Sequence, residues 1–199
     1  VIARHLAEQG KKVEIWERRN HIGGNMYDHV DSHGILVQDY GPHTFHTKEK
    51  YLFDYMCRYE QWSDYKLTCG AVWNKTYTPT PFNYTTIDKF FDKDKAEKLK
   101  EKLTKAYEGR HTATVVEVLE NEDKDIREYA QYLFDNDYAP YTAKQWGVSP
   151  SEIDPSVLKR VPLRFSYDEG YFDDAYQVMP VHSFTEFFRN LLNHENITV

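Results

Sequence analysis

The sequence predicts an α/β fold, and three observations carry that prediction. Near the N-terminus a helix-spaced segment passes through a glycine into a short apolar stretch that closes on an acid, Glu17. The middle of the chain is rich in lysine and glutamate at helical spacing. The rest alternates, carries many aromatics and is punctuated by Gly and Pro, as short strands and hairpins are. Composition agrees: 40% of the 199 residues are hydrophobic and 29% charged, the balance of a globular chain. No run approaches the roughly 18 apolar residues of a membrane span. The opening VIARHLAEQG lacks the basic and apolar regions of a signal peptide.

Each element follows from local pattern. VIARHLAEQGKK sets Val1, Ile2 and Leu6 near helical spacing, with Gly10 as the stop signal. VEIW then reads as a buried strand. Helix, turn and strand closing on Glu17 make the second half of a βαβ unit of Rossmann-like type. MYDHV and HGILVQDYG flank the turn DSHG and predict a hairpin. Residues 48–61 predict a helix, and 64–78 a second hairpin turning at Asn74-Lys75. TPTPFN must be extended, because each proline drives its predecessor out of the helical region. Helices are expected at 86–91, 94–108, 114–121 and 124–136, forming an inserted helical subdomain, with Pro140 in the following turn. WGVSPSEIDPS is a loop, 161–180 mixes aromatic strands with turns, and 183–193 is an amphipathic helix. The expected segments are 1–84, 85–150 and 151–199, the last beginning a mixed-sheet domain.

Charge narrows the function classes. The net charge is -7, and the lysines between Lys89 and Lys105 are interleaved with acids, as on a solvated helix face. No basic cluster of nucleic-acid type occurs, so nucleic acid is not an expected partner. Two cysteines, Cys57 and Cys69, make no disulfide framework, and a reducing cytoplasm is the default compartment. Tyrosine is abundant at 16 residues, enough to supply stacking surfaces for sugars or bases beyond the core.

Three stretches carry candidate chemistry. The first is EIWERRNHIGGN. In dinucleotide folds the acid that holds a ribose lies about 20 residues beyond a glycine loop. Only 16 residues precede Glu17, so that loop is expected upstream of Val1 and the chain is expected to be a fragment. Alone, Glu17 serves equally as an acid capping an ordinary strand. Gly23-Gly24-Asn25 shifts the balance, because glycines let backbone amides approach a pyrophosphate. An acid, basic residues and a later Gly-Gly pair resemble the second signature of flavoproteins of the glutathione-reductase and amine-oxidase-like group. The second stretch, DYGPHTFHT, holds His43 and His46, with only distant carboxylates or His33 as a third ligand, so a zinc site is rejected. The third joins YTAKQWG to KRVPLRF. There Tyr141, Trp146, Arg160 and Arg164 combine stacking surfaces with guanidinium forks suited to a diphosphate, or are core and surface ion pairs. No Gly-x-Ser-x-Gly elbow, P-loop or telling Cys-His pair is present.

Together ERRNHIGGN, DYGPHTFHT, TPFN, YTAKQWG, KRVPLRF and YFDDAYQVMPVHSF resemble the UDP-galactopyranose mutase family. Its members are flavoenzymes that interconvert UDP-galactopyranose and UDP-galactofuranose. The pieces fall in family order over 12–84 and 138–187, while 85–135 matches weakly. The resemblance implies an FAD-binding domain and a reduced FAD whose N5 forms a covalent adduct with the sugar, so no side-chain nucleophile is needed. It implies that Glu17 holds the adenosine ribose with Arg18 beside it, and that Gly23, Gly24 and Asn25 line the flavin. His43 and His46 would lie against the isoalloxazine. Tyr141 would stack on the uracil, with Trp146 and Asn83 at the substrate. Arg160 would be the catalytic residue, offsetting charge on the departing diphosphate, and Tyr171 would hydrogen-bond that group. Arg164 would either join them or brace its strand.

Two departures qualify this expectation. The family often sandwiches the uracil with a second aromatic one helical turn before the tyrosine, and here Asp137 stands there beside Tyr138. The chain also stops at Val199, before the family's further arginine, tyrosine and acid. The polypeptide as given is therefore expected to hold FAD weakly or not at all and to be inactive. Intact, the resemblance implies a cytoplasmic homodimer acting on UDP-galactose and UDP-galactofuranose. The rival readings are an amine-oxidase-like flavin oxidoreductase and a non-catalytic sugar-nucleotide-binding module.

Overall fold

A computed structural model describes residues 1–149, 152 and 161–199. They form two compact units, Val1–Leu67 with Phe172–Val199 and Thr68–Tyr171. The expected segments 1–84, 85–150 and 151–199 cut across this division.

In the first unit, α1 (Ile2–Glu8) leads through Gly10, at φ +79°, into β1 (Val13–Glu14). β1 pairs in parallel with β11 (Ile197–Thr198). The expected buried strand is thus only two residues long, and Trp16, expected inside, is 87% exposed. In α1 it is Ala7 that is buried, while Val1, Ile2 and Leu6 are exposed. The hairpin forms as β2 (Asp28–Val30) and β3 (Leu36–Gln38). β4 (Phe45–Thr47) and β5 (Trp62–Asp64) flank β10 (Tyr176–Pro180) in an antiparallel sheet. The helix expected at 48–61 is shorter, α2 at Lys50–Met56, because the chain must turn to deliver Trp62 to that sheet.

The last helix of this unit, α8 (Phe184–Leu192), is amphipathic as expected. Phe184, Phe187 and Leu191 recur on one face and are buried, two of them beside Tyr59. Its N-terminus is capped twice. Ser183 accepts from the Glu186 amide at 2.9 Å, and buried Asp28 on β2 accepts from the Phe184 and Thr185 amides at 2.8 Å each. That second cap ties the end of the unit to its beginning.

The second unit begins with the hairpin β6 (Cys69–Trp73) and β7 (Thr76–Thr80). Asn74 and Lys75 both have positive φ, the two-residue turn that matches strand twist. Among the described residues five helices follow: α3 (Tyr84–Phe90), α4 (Lys93–Ala106), α5 (Val115–Leu119), α6 (Lys124–Leu133) and α7 (Ala139–Trp146). Side-chain caps start the first four: Asn83, Asp92, Thr114 and Asp123 each accept a first-turn amide. The short pair β8 (Thr112–Ala113) and β9 (Leu163–Arg164) closes the unit. Its core is shared by the helices, Phe82 and Leu163, with Ala71 and Trp73 of the hairpin against it.

Pro140 does not end a helix in a turn. α6 passes through one π-helical turn, Phe134–Tyr138, directly into α7, with Pro140 in its first turn. The wider π-turn gives the proline ring room beside the preceding carbonyls. Buried Tyr138 anchors the junction, donating its hydroxyl to the Val161 carbonyl at 3.0 Å. Among the described residues no helix is long and apolar enough to cross a membrane.

Candidate cofactor and substrate sites

The first unit carries the acid and the glycines. Glu17 follows β1 and is exposed. It accepts the Arg19 amide at 3.0 Å, and that hydrogen bond holds its carboxyl below the usual range. Arg18 is exposed, whereas Arg19 folds into the loop. Arg19 donates to Asn25 Oδ1 at 2.9 Å and lies over the Tyr40 ring, 4.7 Å from its centroid. Its Nη1 is buried with no hydrogen-bond partner among the described residues. Sequence reasoning passed over Arg19 in favour of its neighbour. The only available signal was its distance to Asn25, which becomes contact once the loop closes.

Gly23 and Gly24 have φ of +90° and +59° and lead the 3-10 turn Gly24–Met26. A Cβ at Gly24 would meet nothing within 4 Å, so the turn presents an open face there. At Gly23 it would come within 3.1 Å of the Phe188 ring. An exposed acid, an open glycine turn and a guanidinium nitrogen without a partner fit the ribose and phosphates of a dinucleotide.

His43 and His46 are held differently. The His43 Nδ1 faces the Gly41 carbonyl at 2.8 Å, and its backbone amide donates to Gln38 Oε1. His46, on β4, hydrogen-bonds Asp174 through Nδ1, and its ring stacks on Phe172 with centroids 3.6 Å apart. Among the described residues no group of three or more His, Cys, Asp or Glu is placed to hold a metal ion.

The second unit carries the aromatic and arginine cluster. Tyr141 and Trp146 stand out from α7, 59% and 61% exposed. Asp137 lies one helical turn before Tyr141, and burial pushes its carboxyl upward. Asn83 is buried. It accepts the Thr85 amide at 2.9 Å and donates to the Asp168 carbonyl at 3.0 Å, so its side chain is committed within the unit. Arg164 is buried on β9, donates to the Tyr171 carbonyl at 3.3 Å and lies 3.7 Å from Asp168. It braces the segment that presents Tyr171. Arg160 lies outside the described residues.

Two concavities lie elsewhere. A cavity of about 1040 Å³ in the first unit is lined by Tyr27, Arg58, Glu60 and His182 among others, and by none of Glu17, Gly23, Gly24, Asn25, His43 or His46. A smaller one of about 560 Å³ in the second unit lies against Lys100 and Tyr167, away from Tyr141 and Trp146. The described candidate residues line neither cavity, so cavity size does not locate them.

Within the larger cavity His182 Nδ1 donates to Glu60 Oε1 at 2.8 Å, and this bond raises the imidazole pKa. A raised folded value stabilises the fold fully below the unfolded value of about 6.5, and the gain is lost as pH rises through the folded value. His182→Ala is therefore expected to lower the thermal midpoint at about pH 5.5 and to lie closer to wild type at about pH 8.5. An equal deficit at both pH values would refute the ionic contribution.

A parallel strand pair followed by an acid and an open glycine turn places the first unit in the Rossmann-like α/β class. Residues 1–59 match the family model of the NAD(P)-binding Rossmann-like domain. Residues 136–199 match that of UDP-galactopyranose mutase. Over 100% of its length the chain is 38% identical to a probable UDP-galactopyranose mutase of Klebsiella pneumoniae. It is 36% identical over 98% of its length to a dTDP-fucopyranose mutase of Escherichia coli. A UDP-galactopyranose mutase of Mycoplasma pneumoniae is 30% identical, again over 98%. The chain is thus similar over its whole length to UDP-galactopyranose mutases, and its last third matches the model of that family. It spans 51%, 52% and 49% of those three proteins, about half the length of each. A crystal structure of reduced UDP-galactopyranose mutase shares the fold at TM-score 0.63 and 18% identity, covering 98% of this chain and 45% of that one.

Proposed function

We propose that the full-length protein interconverts UDP-galactopyranose and UDP-galactofuranose with reduced FAD. The observation that carries this reading is identity of 30–38% to named mutases across essentially the whole chain, both candidate clusters included. Glu17 would take the ribose hydroxyls as acceptor, and the amides at Gly23, Gly24 and Asn25 would face the cofactor, with Arg18 and Arg19 adding positive charge. His43 and His46 would border its ring. Reduced FAD would supply the nucleophile. Tyr141 would stack on the uracil, with Trp146 beside the sugar nucleotide. Tyr171 and Arg160 would hold the diphosphate, the arginine stabilising its charge as it leaves. Asn83 would shape this surface from beneath through its cap and its bond to Asp168. A cytoplasmic homodimer is part of the same reading.

The test is a purified full-length protein assayed with reduced and with oxidised flavin. Turnover of UDP-galactofuranose only in the reduced state supports the proposal. Oxygen-dependent amine oxidation, or UDP binding without flavin, would replace it with an oxidoreductase or a binding module. The relative named dTDP-fucopyranose mutase favours a second substrate, so dTDP-fucopyranose belongs in the same assay. Arg160→Ala is expected to cut turnover at least about tenfold with flavin still bound, the loss of one charge-assisted contact to the leaving group. Loss of flavin instead would assign that arginine to the cofactor.

A further inference from the structure

We infer that Asp174 is a positioning residue for His46, fixing the imidazole tautomer that presents Nε2 as a hydrogen-bond acceptor to the cofactor ring. The inference rests on the FAD reading above. Its geometry is built from one short stretch. His46 and Gln177 are cross-strand partners on β4 and β10. Gln177 Nε2 turns back to donate to the carbonyls of Phe172 at 3.3 Å and Asp174 at 2.9 Å, pinning the segment before β10. That segment lays the Phe172 ring on the imidazole, 3.6 Å between centroids and 15° between planes. It also brings the Asp174 carboxylate to Nδ1. One hydrogen bond and one stacking contact thus hold the ring. In neutral imidazole one nitrogen donates and the other accepts, and the partner of the first decides which. A carboxylate only accepts, so in the neutral ring Nδ1 carries the proton and Nε2 the lone pair.

The consequence is a preference between flavin redox states. Reduction adds N–H donors to the isoalloxazine that the oxidised ring lacks. An Nε2 acceptor beside the ring stabilises the reduced form, which is the state the proposed reaction requires. The arrangement parallels metal sites, where a carboxylate behind a histidine sets its tautomer and orientation.

The experiment uses the full-length protein with histidine selectively labelled with nitrogen-15, and His46 assigned by its loss in His46→Gln. Wild type is expected to show His46 protonated at Nδ1. Asp174→Asn, whose amide can turn and donate, is expected to populate the other tautomer. It should also lower the preference for bound reduced flavin about tenfold, or about 30 mV for a two-electron couple, at unchanged occupancy. Asp174→Glu should restore both. A wild-type His46 protonated at Nε2, or an Asp174→Asn protein with unaltered tautomer and potential, would overturn the inference. If no flavin binds even to wild type, the functional reading fails, and with it the redox consequence, while the tautomer measurement still judges the Asp174 pairing.

Discussion

Asp28→Ala is expected to destabilise the first unit by about 3 kcal/mol, the combined loss of two charge-assisted hydrogen bonds. Asp28 is 2% exposed, and both carboxylate oxygens are engaged, Oδ2 by the Phe184 amide and Oδ1 by the Thr185 amide. The Thr185 hydroxyl closes the pairing by donating to the Asp28 carbonyl at 2.7 Å. Alanine leaves two amides at the start of α8 without acceptors, at the end where the helix dipole is positive. Asp28→Asn keeps one acceptor but turns its NH₂ toward the other amide, so it should recover only part of the loss. Urea unfolding reads the total, and hydrogen exchange at the Phe184 and Thr185 amides locates it. A loss under about 1 kcal/mol would mean that Ser183 caps the helix alone.

What was legible in the sequence was what is local. The hairpin turn at Asn74-Lys75, the four capped helices and the apolar face of α8 all follow from residues within a turn or two of one another. The acid and glycine pair were legible for the same reason, and the family's motifs lie in short unbroken runs. The failures are contacts between distant parts of the chain. VEIW has the composition of a buried strand, yet among the described residues it pairs with a two-residue strand near Val199, and Trp16 is left exposed. Asp28 looked like a polar residue in a hairpin, and its role depends on amides 156 and 157 positions away. Asp174 reaches His46 across 128 positions. The π-turn escaped notice because Pro140 was read alone. Its effect depends on Tyr138 being held by Val161, which keeps α6 and α7 continuous.

Phe82→Ala is expected to cost the second unit about 4 kcal/mol, the middle of the range for deleting a buried ring. Phe82 is fully buried where the hairpin, the helices and β9 meet. Its ring meets Trp73 and Tyr138 edge to face, with centroids at 5.4 Å and 5.5 Å. Its carbonyl accepts the Arg164 amide at 2.8 Å. Truncation removes the contact beneath Tyr138, which anchors the junction leading into α7. The loss therefore spreads to the helix that presents Tyr141 and Trp146. Phe82→Leu keeps most of the volume and should cost only about 1 kcal/mol, with the junction intact. UDP binding separates the two effects, in conditions where each variant stays folded. If Tyr141 stacks on the base, Phe82→Ala should weaken binding while Phe82→Leu stays near wild type. Equal binding by both would show that the placement of α7 does not depend on this packing.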